Sequence, residues 1–366
     1  GWFGEITSKS LYAEVKARDP DRLMLGQDVT FSTRANLPGM SDYQGGPMNV
    51  WPRGSLNPDV PFVCHEYLNL SVKFDSRTAP LFTGGWLPPT SRSARKAWLG
   101  RFGLTLEQGD RLQDAQAVMQ RTWRKYGIES ARLDPYCDGY SYWSLQDACS
   151  RNGESYSGQA LFDPMWGDKP HGDTAESVAV YNSESCLLLD VGPKLYTSKT
   201  APKRGSMFEM FLTDFATNRV RSAGERIAAT FYLAHYGQSP LTSARLVWRL
   251  TAEGKTLASG ARDIGDQPLG SVREIAFADI AVPDVASACR ASLEARLVSG
   301  QKEIVNAWDW WLFPRRRRID GRGVFVAEPF RRALERRFQG LASALAEADV
   351  VVAPPASDEA AAARAA

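Results

Sequence analysis

Apolar and polar positions change period several times along the first half of the chain. Leu11, Tyr12 and Val15 recur at helical spacing within Lys9–Ala17, and Asp19-Pro20 predicts the stop. RLMLG (Arg22–Gly26) then reads as a short buried strand and MSDY (Met40–Tyr43) as another, with Gly45, Gly46 and Pro47 opening a loop behind it. VPFVCHEY (Val60–Tyr67) is an apolar run ending in polar residues, the pattern of a buried parallel strand that delivers side chains at its carboxyl end. Helical spacing returns over Ser91–Arg101, Leu106–Tyr126 and Tyr126–Arg132. DGYSYWSLQD (Asp138–Asp147) is a further strand with polar residues gathered at its end. This order is an α/β rhythm around a parallel sheet, with too few strands for a complete barrel.

From about Gly205 the period shortens. Met207–Phe215, Arg226–Tyr236, Ala244–Ala252, Lys255–Ala261, Val272–Val282, Cys289–Val298 and Glu303–Phe313 alternate or are rich in β formers, and turn residues separate them. Strands at this spacing predict an antiparallel immunoglobulin-like β-sandwich. The arginine run Arg315–Arg318 follows Pro314 and reads as a solvated linker. GVFVA (Gly323–Ala327), helical spacing over Phe330–Ala346 and DVVVA (Asp349–Ala353) predict the start of another α/β unit, residues 315–353. The alanine-rich tail, residues 354–366, has the composition of a disordered segment.

Composition narrows the chemistry. The 44 basic and 42 acidic residues leave a net charge of +2, so no field of one sign points to nucleic acid or an anionic membrane surface. No window has the long apolar run of a membrane helix, and none is expected to insert. The five cysteines are widely spaced without a CxxC pair, and the three histidines lack ligand spacing, which predicts free thiols and neither metal nor cofactor. No Gly-x-Ser-x-Gly elbow supports an esterase or protease. Aromatic residues are 11% of the chain, including 11 Trp, many beside Gly, Pro, Asp and Asn. Flat rings among polar loop residues suit the C–H face and hydroxyls of a sugar, and they also suit ordinary core packing.

Four segments, in this order and spacing, carry a resemblance. PFVCHEY (Pro61–Tyr67) resembles the seventh barrel strand of family 2 glycoside hydrolases such as β-galactosidases and β-glucuronidases, where Glu before Tyr is the nucleophile. DGYSYWSLQD resembles the eighth strand, GQALFDPMWGDKP (Gly158–Pro170) the loop after it, and NAWDWWLFP (Asn306–Pro314) the last strand of an accessory sandwich. The resemblance spans about residues 1–314. It implies the C-terminal part of a (β/α)8 barrel over residues 1–195, about strands five to eight, and a sandwich over residues 196–314. It also implies a retaining hydrolase of O-glycosidic bonds in an oligo- or polysaccharide.

Such enzymes need two carboxyl groups about 5 to 5.5 Å apart, one attacking the anomeric carbon and one protonating the departing oxygen. The resemblance puts the first role on Glu66; on its own, a Glu in an apolar run reads as a paired structural carboxylate. His65 would meet a sugar hydroxyl, and Tyr67 would orient the carboxylate or pack in the core. Trp143, Gln146 and Asp147 would face substrate from the eighth strand. Asp42 would face it from the sixth or cap a loop, and Trp86, in FTGGWLPP, would stack on a sugar or on its own loop. Glu129, with Arg132 one turn on, would wall the pocket or form a helical ion pair.

The family's acid/base is a Glu directly after Asn, and the sequence contains no Asn-Glu pair. The expectation is therefore that the acid/base lies ahead of Gly1 and that this chain alone is inactive. The alternative is a non-catalytic carbohydrate-binding or scaffold protein of the same fold. A polysaccharide substrate implies a periplasmic or secreted parent, and the oligomeric state stays open.

Overall fold

A computed structural model describes residues 5–25, 41–47, 60–67, 70–72, 75–85, 91–134, 137–149, 156–191, 219–315, 319–328, 330–335, 337–355 and 357–365. The chain is mixed α/β and forms two compact units. The first takes residues 1–220, 226–281 and 290–311, the second 221–225, 282–289 and 312–366.

The first unit opens with helix α1 (Glu5–Arg18), followed by β1 (Gln44–Pro47) and β2 (Phe62–Tyr67). Helices α2 (Ser91–Gly100) and α3 (Leu106–Leu133) precede β3 (Gly139–Tyr142). Strands β1, β2 and β3 form a parallel sheet with β2 at its centre. Phe62 and Cys64 of β2 pack with Trp123, Ile128 and Ala131 of α3 and with Tyr181. Only helices laid across a sheet bury parallel strands in this way, which accounts for the apolar run before Glu66.

The short strands β4 (Ala148–Cys149) and β5 (Tyr156–Ser157) pair antiparallel, and α4 (Ala175–Asn182) leads into β6 (Ser185–Val191). The chain then runs through β7 (Val220–Ser222), β8 (Arg226–His235), β9 (Leu241–Ala252), β10 (Lys255–Gln267), β11 (Ser271–Ala281), β12 (Cys289–Ser299) and β13 (Lys302–Phe313). One antiparallel sheet has the order β11-β8-β6, and the other includes β10-β9-β12-β13. Alternate residues of β8 (Ile227, Ala229, Phe231) and β13 (Ile304, Trp308, Trp310) are buried, and the Phe231 and Trp308 rings lie 6.2 Å apart. In β6 nearly every side chain is buried, so it reads as the continuous apolar run CLLL rather than an alternation. No strand is expected there from periodicity, while the expected one at Met207–Phe215 lies outside the described residues.

The second unit holds two parallel pairs. Strand β14 (Ile319–Asp320) pairs with β16 (Phe338–Gln339), and β15 (Val324–Val326) with β17 (Val350–Val352). Of the helix expected over Phe330–Ala346 only α5 (Arg331–Leu334) forms. Phe338–Gln339 already form a strand paired with β14, and Gly340 at φ +72° follows it outside the right-handed region. Helix α6 (Asp358–Ala365) lies in the alanine-rich tail.

Three further expectations are corrected. Arg22–Leu25 is not a strand: Lys16 Nζ donates to the Arg22 carbonyl (2.7 Å), Met24 N donates to Asp42 Oδ2 (2.7 Å), and Leu23 is 71% exposed. Ser41–Tyr43 is not a strand either; the expected loop Gly45-Gly46-Pro47 is the strand instead, on the sheet edge where proline's missing donor costs nothing. Finally, α3 is one 28-residue helix rather than two. Buried Gly127 continues it, since packing outweighs a glycine penalty of about 1 kcal/mol.

Candidate functional site

Glu66 is the penultimate residue of β2, at the carboxyl end of the central parallel strand. Asp138 pins the entry of that strand, its Oδ2 accepting from Phe62 N at 2.7 Å and its own N donating to the Phe62 carbonyl at 2.9 Å. Cys64 then pairs with Tyr140, but the next partners are Tyr67 and Tyr142. Three residues of β2 therefore advance against two of β3, and the extra residue falls at His65-Glu66. Such a bulge bends a strand and re-aims its backbone, and bulges gather beside functional sites. The side chains of His65, Glu66 and Tyr67, and all of Trp86, lie outside the described residues.

At the end of β3 the structure separates the expected substrate-facing residues. Trp143, whose peptide bond to Ser144 is cis, is 43% exposed. Gln146 turns to the loop after it and donates from Nε2 to the Pro164 carbonyl at 2.7 Å. Asp147 is 2% exposed: its Oδ2 meets Lys169 Nζ and the Tyr156 hydroxyl, each at 2.7 Å, and its Oδ1 accepts from Ala160 N at 2.9 Å. Lys169 also donates to the Gly158 and Ala160 carbonyls. Burial pushes the Asp147 carboxyl up against the pull of Lys169, and burial pushes the Lys169 amine down. The pair ties down the loop after β3.

Beneath β3, Arg124 of α3 pairs with Asp173, reaches the Tyr142 hydroxyl, and lies 4.8 Å from the centre of the Tyr142 ring. Sequence reasoning misses Arg124 and Asp173. The available signal is a cation on the buried face of α3, which requires a buried anion nearby.

Asp42 is engaged by Tyr12 (2.7 Å), Lys16 (2.7 Å) and Met24 N. Glu129, 3% exposed, pairs with Lys125 rather than with Arg132, whose Nη1 goes to the Tyr181 and Ser183 carbonyls. Asn306 and Trp308 of β13 also donate to Glu129, at 2.8 and 2.9 Å. Asn306 is another missed residue. It shares the buried face of β13 with Ile304 and Trp308, and a polar residue on such a face needs a partner.

A cavity of about 370 Å³ opens beside this cluster, between α3, α4 and β13, and no residue of β2 lines it. Among the described residues no three His, Cys, Asp or Glu side chains come together as a metal site, and no helix is long and apolar enough to cross a membrane.

Residues 225–314 match a family described as a domain of unknown function (DUF8488). No curated protein matches the chain. Among solved structures it is distantly similar to Parabacteroides merdae beta-glucuronidase, with 10% identity over 88% of this chain and 35% of that one and a TM-score of 0.31. The apo structure of Bacteroides uniformis beta-glucuronidase 3 gives 10% identity, 88% and 36% coverage and a TM-score of 0.31. Pseudomonas fluorescens alkylpurine DNA glycosylase AlkC gives 15% identity, 26% and 28% coverage and a TM-score of 0.20. The chain spans about a third of the length of each of these structures.

Proposed function

We propose that this chain is a segment of a retaining O-glycoside hydrolase in which Glu66 is the nucleophile. The observation that carries the reading is the placement of Glu66 at the carboxyl end of the central parallel strand, at a bulge beside the end of β3, where exposed Trp143 follows. Carboxyl ends of parallel strands form the active face of a (β/α)8 barrel, and the parallel order of β1, β2 and β3 with helices packed on them supports reading them as part of one. The two antiparallel sheets, with orders β10-β9-β12-β13 and β11-β8-β6, support reading the strands after β5 as an immunoglobulin-like sandwich.

In this mechanism a Glu66 oxygen attacks the anomeric carbon as the bond to the leaving oxygen breaks, and a second carboxyl group gives that oxygen a proton. Water then attacks the glycosyl ester, loses its proton to the same second group and frees Glu66, so configuration is retained. Trp143 offers a face for the sugar ring. The substrate is an oligo- or polysaccharide met in a periplasmic or extracellular setting.

Dinitrophenolate needs no protonation to leave, so dinitrophenyl glycosides isolate the nucleophilic step from the acid/base. A panel of these substrates should give a single release of dinitrophenolate, reduced by about a thousandfold or more in Glu66→Gln, while ordinary glycosides, which need the acid/base, are not turned over by this chain alone. Release unaffected by the substitution would contradict Glu66 as the nucleophile, and sugar binding without any release would favour a carbohydrate-binding protein.

A further inference from the structure

The cavity beside Glu129 contains a charge that the glycosidase reading does not use. Arg219 lines it, is 3% exposed, and leaves Nε and Nη1 without a hydrogen-bond partner among the described residues. Its guanidinium lies 5.2 Å from the centre of the Trp310 ring, which covers a face but accepts no in-plane hydrogen bond. Glu129 does not neutralise it through a contact. That carboxylate is already served by Lys125, Asn306 Nδ2 and Trp308 Nε1. A buried cation with no acceptor is expensive, and burial accordingly pushes the Arg219 pKa down.

The volume, about 370 Å³, falls in the range of small-molecule pockets, and the rings of Tyr181 and Trp308 contribute to its walls. We propose that this cavity binds a small carboxylate-bearing ligand, its anionic oxygens accepting from Arg219 and its ring or apolar body lying against Tyr181 and Trp308. A carboxylate fits better than a phosphate. The walls set Arg121, Lys125 and Arg219 against Glu129, Asp173 and Asp309, so a singly charged ligand adds less repulsion there than a dianion. The site is independent of Glu66, and either could fail without the other.

Benzoate and its neutral isostere benzamide serve as probes in calorimetric titrations of the whole chain. Benzoate should bind at least tenfold more tightly than benzamide. Arg219→Met should remove that preference, and Ala307→Phe, which narrows the cavity from an exposed position of β13, should weaken benzoate by a similar factor while leaving the cation in place. Circular dichroism establishes whether Arg219→Met folds; if it does not, the isostere comparison in the unsubstituted chain and Ala307→Phe decide. Equal affinity for the two probes, no heat with benzoate at about 10 mM, or benzoate binding undiminished in a folded variant would overturn the proposal.

Discussion

Trp308 Nε1 donates to Glu129 Oε2 at 2.9 Å, joining helix α3 to strand β13 across 179 residues of sequence. Both residues are 3% exposed. Trp308→Phe keeps most of the ring but leaves one carboxylate oxygen short of a donor, which should cost about 1–3 kcal/mol. Glu129→Ala leaves Lys125 without its buried counter-charge and should cost about 3–5 kcal/mol. Urea unfolding of both variants checks the order; equal losses would mean that the ring, not the hydrogen bond, matters.

The Asp147–Lys169 pair, at 2.7 Å and almost fully buried, gives a different signature. Lys169→Met strands an anion and should destabilise the chain by about 3–5 kcal/mol. Combining it with Asp147→Asn removes the stranded charge, so the double variant should be more stable than Lys169→Met alone. The pKa directions agree: burial raises Asp147 and lowers Lys169, so each group's neutral form is relatively favoured by folding. A double variant as unstable as the sum of the singles would show that the two groups are not coupled and would contradict this account.

Asp114 predicts how stability responds to acid. Its hydrogen bonds from Arg77, the shorter at 2.5 Å, hold its carboxyl below the ordinary value. A lowered acid pKa adds stability above the unfolded value of about 4, and that contribution disappears as pH falls through the folded value. Asp114 is partly exposed, so the effect is modest. Urea midpoints of the unsubstituted chain and Asp114→Asn should differ near neutrality and converge in acid; a constant gap would exclude this linkage.

The elements legible from the sequence are those whose pattern reports their surroundings. Strand β2 shows its burial as an apolar run, and β8, β12 and β13 alternate because one face is covered. What escaped depended on partners distant in the chain. Strand β6, covered on both sides, has no alternation to read, and the glycine-proline strand β1 is stabilised by pairing with β2 rather than by its own propensity. The same reasoning applies to the site. Asp147 carries the polarity of a substrate-facing residue, but Lys169, 22 positions later, uses that polarity to close a loop. Glu129, expected to wall a sugar pocket or to pair with Arg132, pairs with Lys125, and the cavity it lines has no residue of β2 in its walls.

The role of Glu66 is tested most directly by trapping the glycosyl ester. A 2-deoxy-2-fluoro glycoside with a dinitrophenyl leaving group slows the second step more than the first, and attachment needs no acid/base. After incubation with a panel of such sugars, peptide mass spectrometry should find one fluoroglycosyl group on Glu66 and none in Glu66→Gln. A label on another carboxylate, or an equal label in Glu66→Gln, would contradict the assignment.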